Sequence, residues 1–153
     1  MEHTHHHEAD AGWRTALSAT LHCLTGCAIG EVLGMVLSTW WGWGNLASIV
    51  LSIVLAFFFG YLLTFSSVRR HGASPREGVR LALASDTLSI TTMEIVDNLF
   101  IIAVPGALAA GLADGLFWWS LVVSLAIAFV LTVPVNRWLI GRGRGHAVMH
   151  AYH

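Results

Sequence analysis

Three acidic residues, Asp86, Glu94 and Asp97, lie inside one otherwise apolar stretch, 81–104, that is long enough to cross a bilayer. On an insertion scale three acids at membrane depth cost about 8–10 kcal/mol, while the apolar residues around them return only about 5 kcal/mol. Acids in such positions usually serve a function. We therefore expect partner helices to hold this segment in the membrane, and the groups that face its acids to define what the chain does.

Sulfur and imidazole ligands lie in another apolar stretch, 16–38, where Cys23 and Cys27 stand four residues apart and share one face of a helix. His22 lies at the edge of that face, and Met93 lies within the acidic stretch. Thiolate, thioether and imidazole groups together suit Cu(I) and, less well, Zn(II), whereas carboxylates alone suit hard ions or protons. The sequence therefore predicts a soft-metal site, with Cu(I) as the expected ion, at His22, Cys23, Cys27 and Met93.

Each of these residues also has a purely structural interpretation. Lone membrane cysteines are usually small packing residues, His22 by itself fits a hydrogen-bonded interior histidine, and Met93 fits a gap filler. Glycines at every fourth position, Gly26, Gly30 and Gly34, are typical of close helix packing. The acids differ, because neither stretch offers them an arginine. We expect at least some of them to be protonated, hydrogen-bonded or paired with a cation.

Composition predicts the class of protein. Of the 153 residues 56% are hydrophobic and 11% are charged. The apolar residues form runs of about 20, the length that spans hydrocarbon, at 16–38, 46–65, 81–104 and 116–138. This pattern predicts an all-α membrane protein, a bundle of four transmembrane helices within residues 16–138. The flanking segments, 1–15 and 139–153, are expected to be a His-rich tail and a basic, His-containing tail, and the start of the chain lacks the profile of a cleaved signal peptide.

The arginines predict the orientation. The chain has 8 basic residues besides histidine, and all are arginines in segments 1–15, 66–80 and 137–153. With four crossings these segments share one side, which the positive-inside rule assigns to the cytoplasm. We therefore expect a multi-pass protein of the cell (inner) membrane with both termini cytoplasmic. A rival arrangement lays 81–98 flat on the membrane surface; it leaves three crossings and puts the basic C-terminal tail outside, so we favour four.

Four crossings make the first and third helices parallel, so equal distances from their inner ends mean equal depths, at about 1.5 Å per residue. The residues expected at matching depths are His22 and Cys23 with Asp86 and Ser89, Cys27 with Met93, and Glu31 with Asp97. If the face of the first helix that carries these residues meets the corresponding face of the third helix, the two faces form a polar column through most of the membrane. The residues expected to carry ions or protons along it are Glu31, Asp86, Ser89, Glu94, Asp97 and Asn98.

Polar residues outside this column are given lesser roles. The second helix is expected to be scaffold. Pro134, Asn136 and Arg137 at the inner end of the fourth helix either form an exit constriction or, as we expect, end the helix, with Pro134 disrupting its last turn. Histidines near the two ends of the chain form two candidate accessory metal sites on the cytoplasmic side. These residues are His3, His5, His6 and His7 in the first cluster, and His146 and His150 in the second.

Several polar strings at unusual membrane positions resemble one family, the small prokaryotic membrane proteins called domain of unknown function 4396. The strings are LHCLTGCAIGE at 21–31, SDTLSI at 85–90, MEIVDN at 93–98, PVNRWLI at 134–140 and GHAVMH at 145–150. The resemblance extends from the first helix to the C-terminal tail. It implies a link to copper, because some relatives are joined to or named after copper oxidases. The family has no assigned activity, so the resemblance implies no residue roles.

Three classes of function remain open. The first is a metal-handling or transport protein for Cu(I), the second a proton-coupled carrier of small solutes, and the third a redox or oxidase assembly subunit without catalysis of its own. The expected partners are the bilayer, a metal ion, and a second copy of the chain or a copper oxidase. A haem with two axial histidines is disfavoured, because His22 is the one histidine in the hydrocarbon region. We expect neither an enzyme nor a nucleic-acid-binding protein.

Overall fold

The computed structural model describes the backbone of residues 3–142 and the side chains of residues 12–142, and within them the protein is all-helical. The four helices are α1 (His3–Trp41), α2 (Asn45–Arg70), α3 (Pro75–Ala103) and α4 (Gly115–Gly141). A short 3-10 turn, Ala107–Ala109, lies between α3 and α4. Because α1 begins at His3, helix continues through most of the segment that the sequence analysis assigned to an N-terminal tail.

Short connections make successive helices antiparallel neighbours. Gly42, with φ of 68°, follows the end of α1, and Gly72, with φ of 99°, follows the end of α2. Helix α3 begins with a capping box, in which Ser74 and Glu77 each bond the other's backbone N–H. The chain therefore runs up and down through the bundle, and α1 and α3 point the same way.

Helices α1 and α2 approach so closely that glycine is required between them. A Cβ atom at Gly26 would lie 2.7 Å from the Cα of Gly60, and one at Gly30 would overlap the backbone of Ala56. Gly34 lies in the same way against Ser52. The close packing predicted from the four-residue glycine repeat is confirmed, and its partner is α2.

Three helical segments are long and apolar enough to cross a membrane, Gly12–Trp41, Asn45–Arg70 and Gly115–Gly141. By length and composition, these segments indicate a helical membrane protein. Helix α3 is equally long, but its acids make it too polar to qualify by composition. It nevertheless packs against both α2 and α4, and it turns Asp86, Glu94 and Asp97 inward, where they are at most 4% exposed.

The prediction for the end of the fourth helix is wrong. Helix α4 continues through Pro134 and ends at Gly141, two turns later. Proline removes one backbone hydrogen bond, but such a loss is tolerated in membrane helices, where neighbouring groups satisfy the freed carbonyl. The continued helix is what places Asn136 in the interior, where it is 1% exposed.

Candidate functional site

The predicted faces of α1 and α3 meet inside the bundle. The Cys23 Sγ atom lies 3.8 Å from Oδ1 of Asp86, and the Cys27 Sγ atom lies 4.0 Å from Sδ of Met93. All four side chains are at most 1% exposed. The second contact lies further along the chain than the first on both helices, as parallel helices require. The predicted matching of depths is therefore confirmed at these two levels.

Around Asp86 the surroundings are polar. Its Oδ1 accepts a hydrogen bond of 2.9 Å from the Ser85 hydroxyl in addition to the contact with Cys23. His22, the neighbour of Cys23 in the chain, is only half-buried. The described residues contain no group of three or more His, Cys, Asp or Glu side chains that could hold a metal ion. The sulfur atoms of Cys27 and Met93, at 4.0 Å, are a pair of soft ligands in contact.

Carboxyl groups follow the sulfur pair along the column. Glu94 contacts Cys27, and the Asn98 amide donates to the Glu94 backbone carbonyl at 2.8 Å and to its Oε2 at 3.4 Å. One turn further along, the side chains of Glu31 and Asp97 interact with each other. These contacts confirm the third predicted level, and Glu94 lies in the interior beside it, 4% exposed.

The carboxyl pair is also tied to α4. Ser124 donates a hydrogen bond to Oδ1 of Asp97. Ser124 is completely buried, as are Ser120, Ala128, Thr132 and Asn136 along the same face of α4. The fourth helix is thus a third wall of the polar column, which the sequence analysis did not predict. The signal was the repeat of small or polar residues at every fourth position.

A cavity of about 200 Å³ lies next to the carboxyl pair, Glu31 and Asp97. It is at the end of the bundle that holds the α1–α2 and α3–α4 connections. Glu31, Asp97 and Asn98 contribute to its lining, together with residues of all four helices or their connections. Further members of the lining are Thr39, Trp43, Ser48, Ser52 and Phe117. Helix α2, expected to be only scaffold, therefore supplies part of this surface.

Towards the opposite end, one turn of α3 from Asp86, neutral groups of α1, α3 and α4 form a hydrogen-bond network. The Asn136 amide donates to the Thr20 hydroxyl at 2.8 Å, and its carbonyl oxygen accepts from Ser89. All three side chains are at most 1% exposed. Ser89 was expected in the column, Asn136 was considered as part of an exit constriction or of the end of the helix, and Thr20 was given no role. Beyond them Arg137 stacks over the Trp13 ring, with its guanidinium carbon 5.8 Å from the ring centroid.

The accessory histidine clusters lie outside the described side chains. His3, His5, His6 and His7 fall in the first turns of α1, of which only the backbone is described. His146 and His150 follow the last described residue. Their proposed role in metal binding stays a prediction.

Comparison with known proteins identifies the family and nothing more specific. The family described as "Domain of unknown function (DUF4396)" matches residues 12–145, which include all the helices of the polar column. No curated protein and no solved structure matches the chain. The resemblance seen in the polar strings is confirmed. Because the match covers most of the sequence, this chain belongs to the family of domain of unknown function 4396.

Proposed function

We propose that this protein binds Cu(I) inside its helical bundle and conducts it along the column between α1, α3 and α4. The observation that carries this proposal is the sulfur pair, in which the Cys27 Sγ and Met93 Sδ atoms are 4.0 Å apart. A metal–sulfur bond is about 2.3 Å long, so a thiolate and a thioether bound to one ion lie at most about 4.6 Å apart. The two sulfur atoms can therefore share one soft ion in a bent arrangement with little movement.

Further donors lie next to this pair. Glu94 contacts Cys27 on one side, and Cys23 lies one helical turn away with its sulfur against Asp86. Thiolate and thioether ligands favour Cu(I) over Zn(II) and over hard ions. A Cu(I) ion at Cys27 and Met93 thus has a second thiol at the next level, towards which it can be passed by exchange of one ligand at a time.

The proposal includes the topology. Helix α3 spans the membrane as the fourth crossing, because its acids face the other helices and its outward residues, such as Leu88, Ile95 and Leu99, are large and apolar. The arginine end is then cytoplasmic and the cavity end lies on the other side of the cell membrane. Exposed tryptophans at the cavity end, Trp40, Trp41, Trp118 and Trp119, suit an interfacial belt there.

Titration of the purified protein with Cu(I) in the presence of a colorimetric Cu(I) chelator tests this proposal. We expect about one ion per chain and a loss of affinity of about 10- to 100-fold in Cys27→Ser and in Met93→Leu. Met35→Leu is the matched control, because Met35 is a partly buried methionine that lines the cavity and lies outside the sulfur pair. Equal Cu(I) affinity in Met93→Leu and Met35→Leu would contradict the proposal.

A second candidate, a proton-coupled carrier of small solutes, is favoured by one observation. The Glu31 and Asp97 side chains interact in the interior, and Ser124 binds the same Asp97 carboxyl. A carboxyl pair of this kind can hold one proton between its members and exchange it at a membrane-embedded site. In this candidate the cysteines only pack, so Cys23→Ser with Cys27→Ser would transport normally in proteoliposomes while Asp97→Asn would be inactive. In the Cu(I) proposal, by contrast, the double cysteine variant should not transport copper.

A further inference from the structure

We propose a second cation site at the floor of the cavity, built from oxygen atoms alone and suited to a hard cation. Its principal ligands are the carboxyl groups of Glu31 and Asp97, with the side-chain oxygen of Asn98 beside them. This inference goes beyond the Cu(I) proposal and does not depend on it, because none of these residues belongs to the sulfur pair.

The first support is a buried carboxyl oxygen of Glu31 that has no hydrogen-bond partner. The Glu31 side chain lines the cavity and is only 8% exposed, yet its Oε1 atom has no hydrogen-bond partner. An unpaired buried carboxyl oxygen normally costs several kcal/mol or is compensated by an ion or a donor group. The adjacent Asp97 is 2% exposed and contributes a second carboxyl at the same place.

Asn98 adds a neutral ligand. Its Nδ2 atom is engaged by the backbone carbonyl and the carboxyl of Glu94. These two bonds orient the amide and leave its oxygen as the atom that can coordinate a cation. Hydroxyl groups of Ser52 and Thr39 also line the cavity. All of these are the oxygen ligands that hard cations prefer.

The electrostatics also favour a cation. Of the described residues that line the cavity, none is basic. The arginines of the described chain lie at the opposite end of the bundle, at the start of α1 and α3 and the end of α2 and α4. The negative field of Glu31 and Asp97 at the cavity floor is therefore not offset by a protein cation nearby.

The size of the cavity fits a partly hydrated ion. About 200 Å³ corresponds to roughly six or seven water molecules at about 30 Å³ each. A cation can thus contact the carboxyls and keep several waters of its own. This site contrasts with the sulfur pair, whose ligands are soft.

Sensitised luminescence of Tb³⁺, a hard cation with oxygen preference, tests the site, since Trp43 lines the same cavity and can transfer excitation to it. Purified protein in detergent is excited in its tryptophan band while Tb³⁺ is titrated. We expect saturable emission, an affinity loss of about 10- to 100-fold in Glu31→Gln and in Asp97→Asn, and competition by Ca²⁺. Trp43→Phe should lower the emission without changing the affinity.

Two controls decide the interpretation. Glu77→Gln removes a fully exposed acid at the other end of the bundle and should leave the titration unchanged. Cys23→Ser with Cys27→Ser should also retain Tb³⁺ binding, even if Cu(I) binding is lost, so the two proposals can fail separately. Unfolding of each variant is followed by far-UV circular dichroism, and only folded variants are compared. Unchanged Tb³⁺ affinity in folded Glu31→Gln or Asp97→Asn would overturn the proposal.

Discussion

The arginine end of the bundle holds one buried acid, Asp86, bonded to Ser85 and Cys23, beside neutral side chains that bond one another, whereas the opposite end holds two carboxyls beneath an open cavity. Thr20, Asn136 and Ser89 are hydrogen-bonded to one another at the first end. Glu31 keeps an unpaired oxygen at the second. Matched polar groups specify one packed arrangement, while unmatched ones invite a ligand. In the proposed functions, an ion that enters from the cavity would meet this network as a barrier before the arginine end.

Both ends depend on the contact between α1 and α2, so loss of that contact should have the largest effect. Gly30→Ala would place a methyl group on the backbone of Ala56. Backbone cannot move aside as a side chain can, and we expect the free energy of unfolding to fall by about 2–3 kcal/mol. Gly44→Ala is the control, because a Cβ there meets nothing within 4 Å. Unfolding by SDS, followed by circular dichroism, measures both, and equal stability of the two variants would contradict the packing described.

The next prediction compares one amide from each end. Asn136→Ala removes two interhelical hydrogen bonds from a fully buried position and should lower the free energy of unfolding by about 2 kcal/mol. Asn98→Ala removes bonds only to Glu94 on the same helix, from a partly buried position. Its cost should stay below about 1 kcal/mol. The same SDS titration measures both variants, and a larger cost at Asn98 would reverse the proposed difference between the ends.

Access of water to the two ends can be compared directly with single cysteines. In a Cys23→Ser, Cys27→Ser background, Ser52→Cys places a thiol at the cavity, and Ser89→Cys places one in the closed network. A polar maleimide should modify the first at least about tenfold faster, because thiol reactivity requires exposure. Mass spectrometry of timed samples measures the rates. Similar rates at the two positions would mean that the network does not close the column.

The sequence was sufficient to predict the walls made by α1 and α3. Acids in an apolar stretch have few stable environments, and parallel helices fix which residues share a depth. Those two constraints brought Cys23 to Asp86 and Cys27 to Met93 before any contact was known. The predicted roles of these residues in metal or proton movement remain untested.

The contribution of α4 was not predicted, for a physical reason. Serine and threonine in a membrane helix can satisfy their hydroxyls on their own backbone, so their presence does not require a partner helix. Pro134 also suggested that the last turn of the helix is disrupted, so Asn136 was expected to help end the helix rather than to bond other helices. The cavity could not be predicted either, because it depends on how the α3–α4 connection, with its 3-10 turn at 107–109, folds over the helix ends.

The smallest expected effect concerns the connections at the two ends. At the arginine end the backbone and hydroxyl of Ser74 donate to the Glu77 carboxylate, which holds the pKa of that carboxyl below its usual value. At the cavity end Asp114 precedes α4 without a side-chain cap and instead accepts from the Gly111 N–H at 2.8 Å.

A carboxyl whose pKa is lowered by folding stabilises the protein above its unfolded pKa, about 4.3, and this contribution is lost as the pH falls through the lower folded value. Stability of the wild type should therefore fall more steeply below about pH 4.3 than that of Glu77→Gln, which keeps an acceptor for Ser74 but does not titrate. The measurement is the unfolding temperature in detergent of both proteins from pH 7 to pH 3. Every other acid is the same in the two proteins. Parallel curves of unfolding temperature against pH would therefore show that the capping box contributes nothing to the pH dependence of stability.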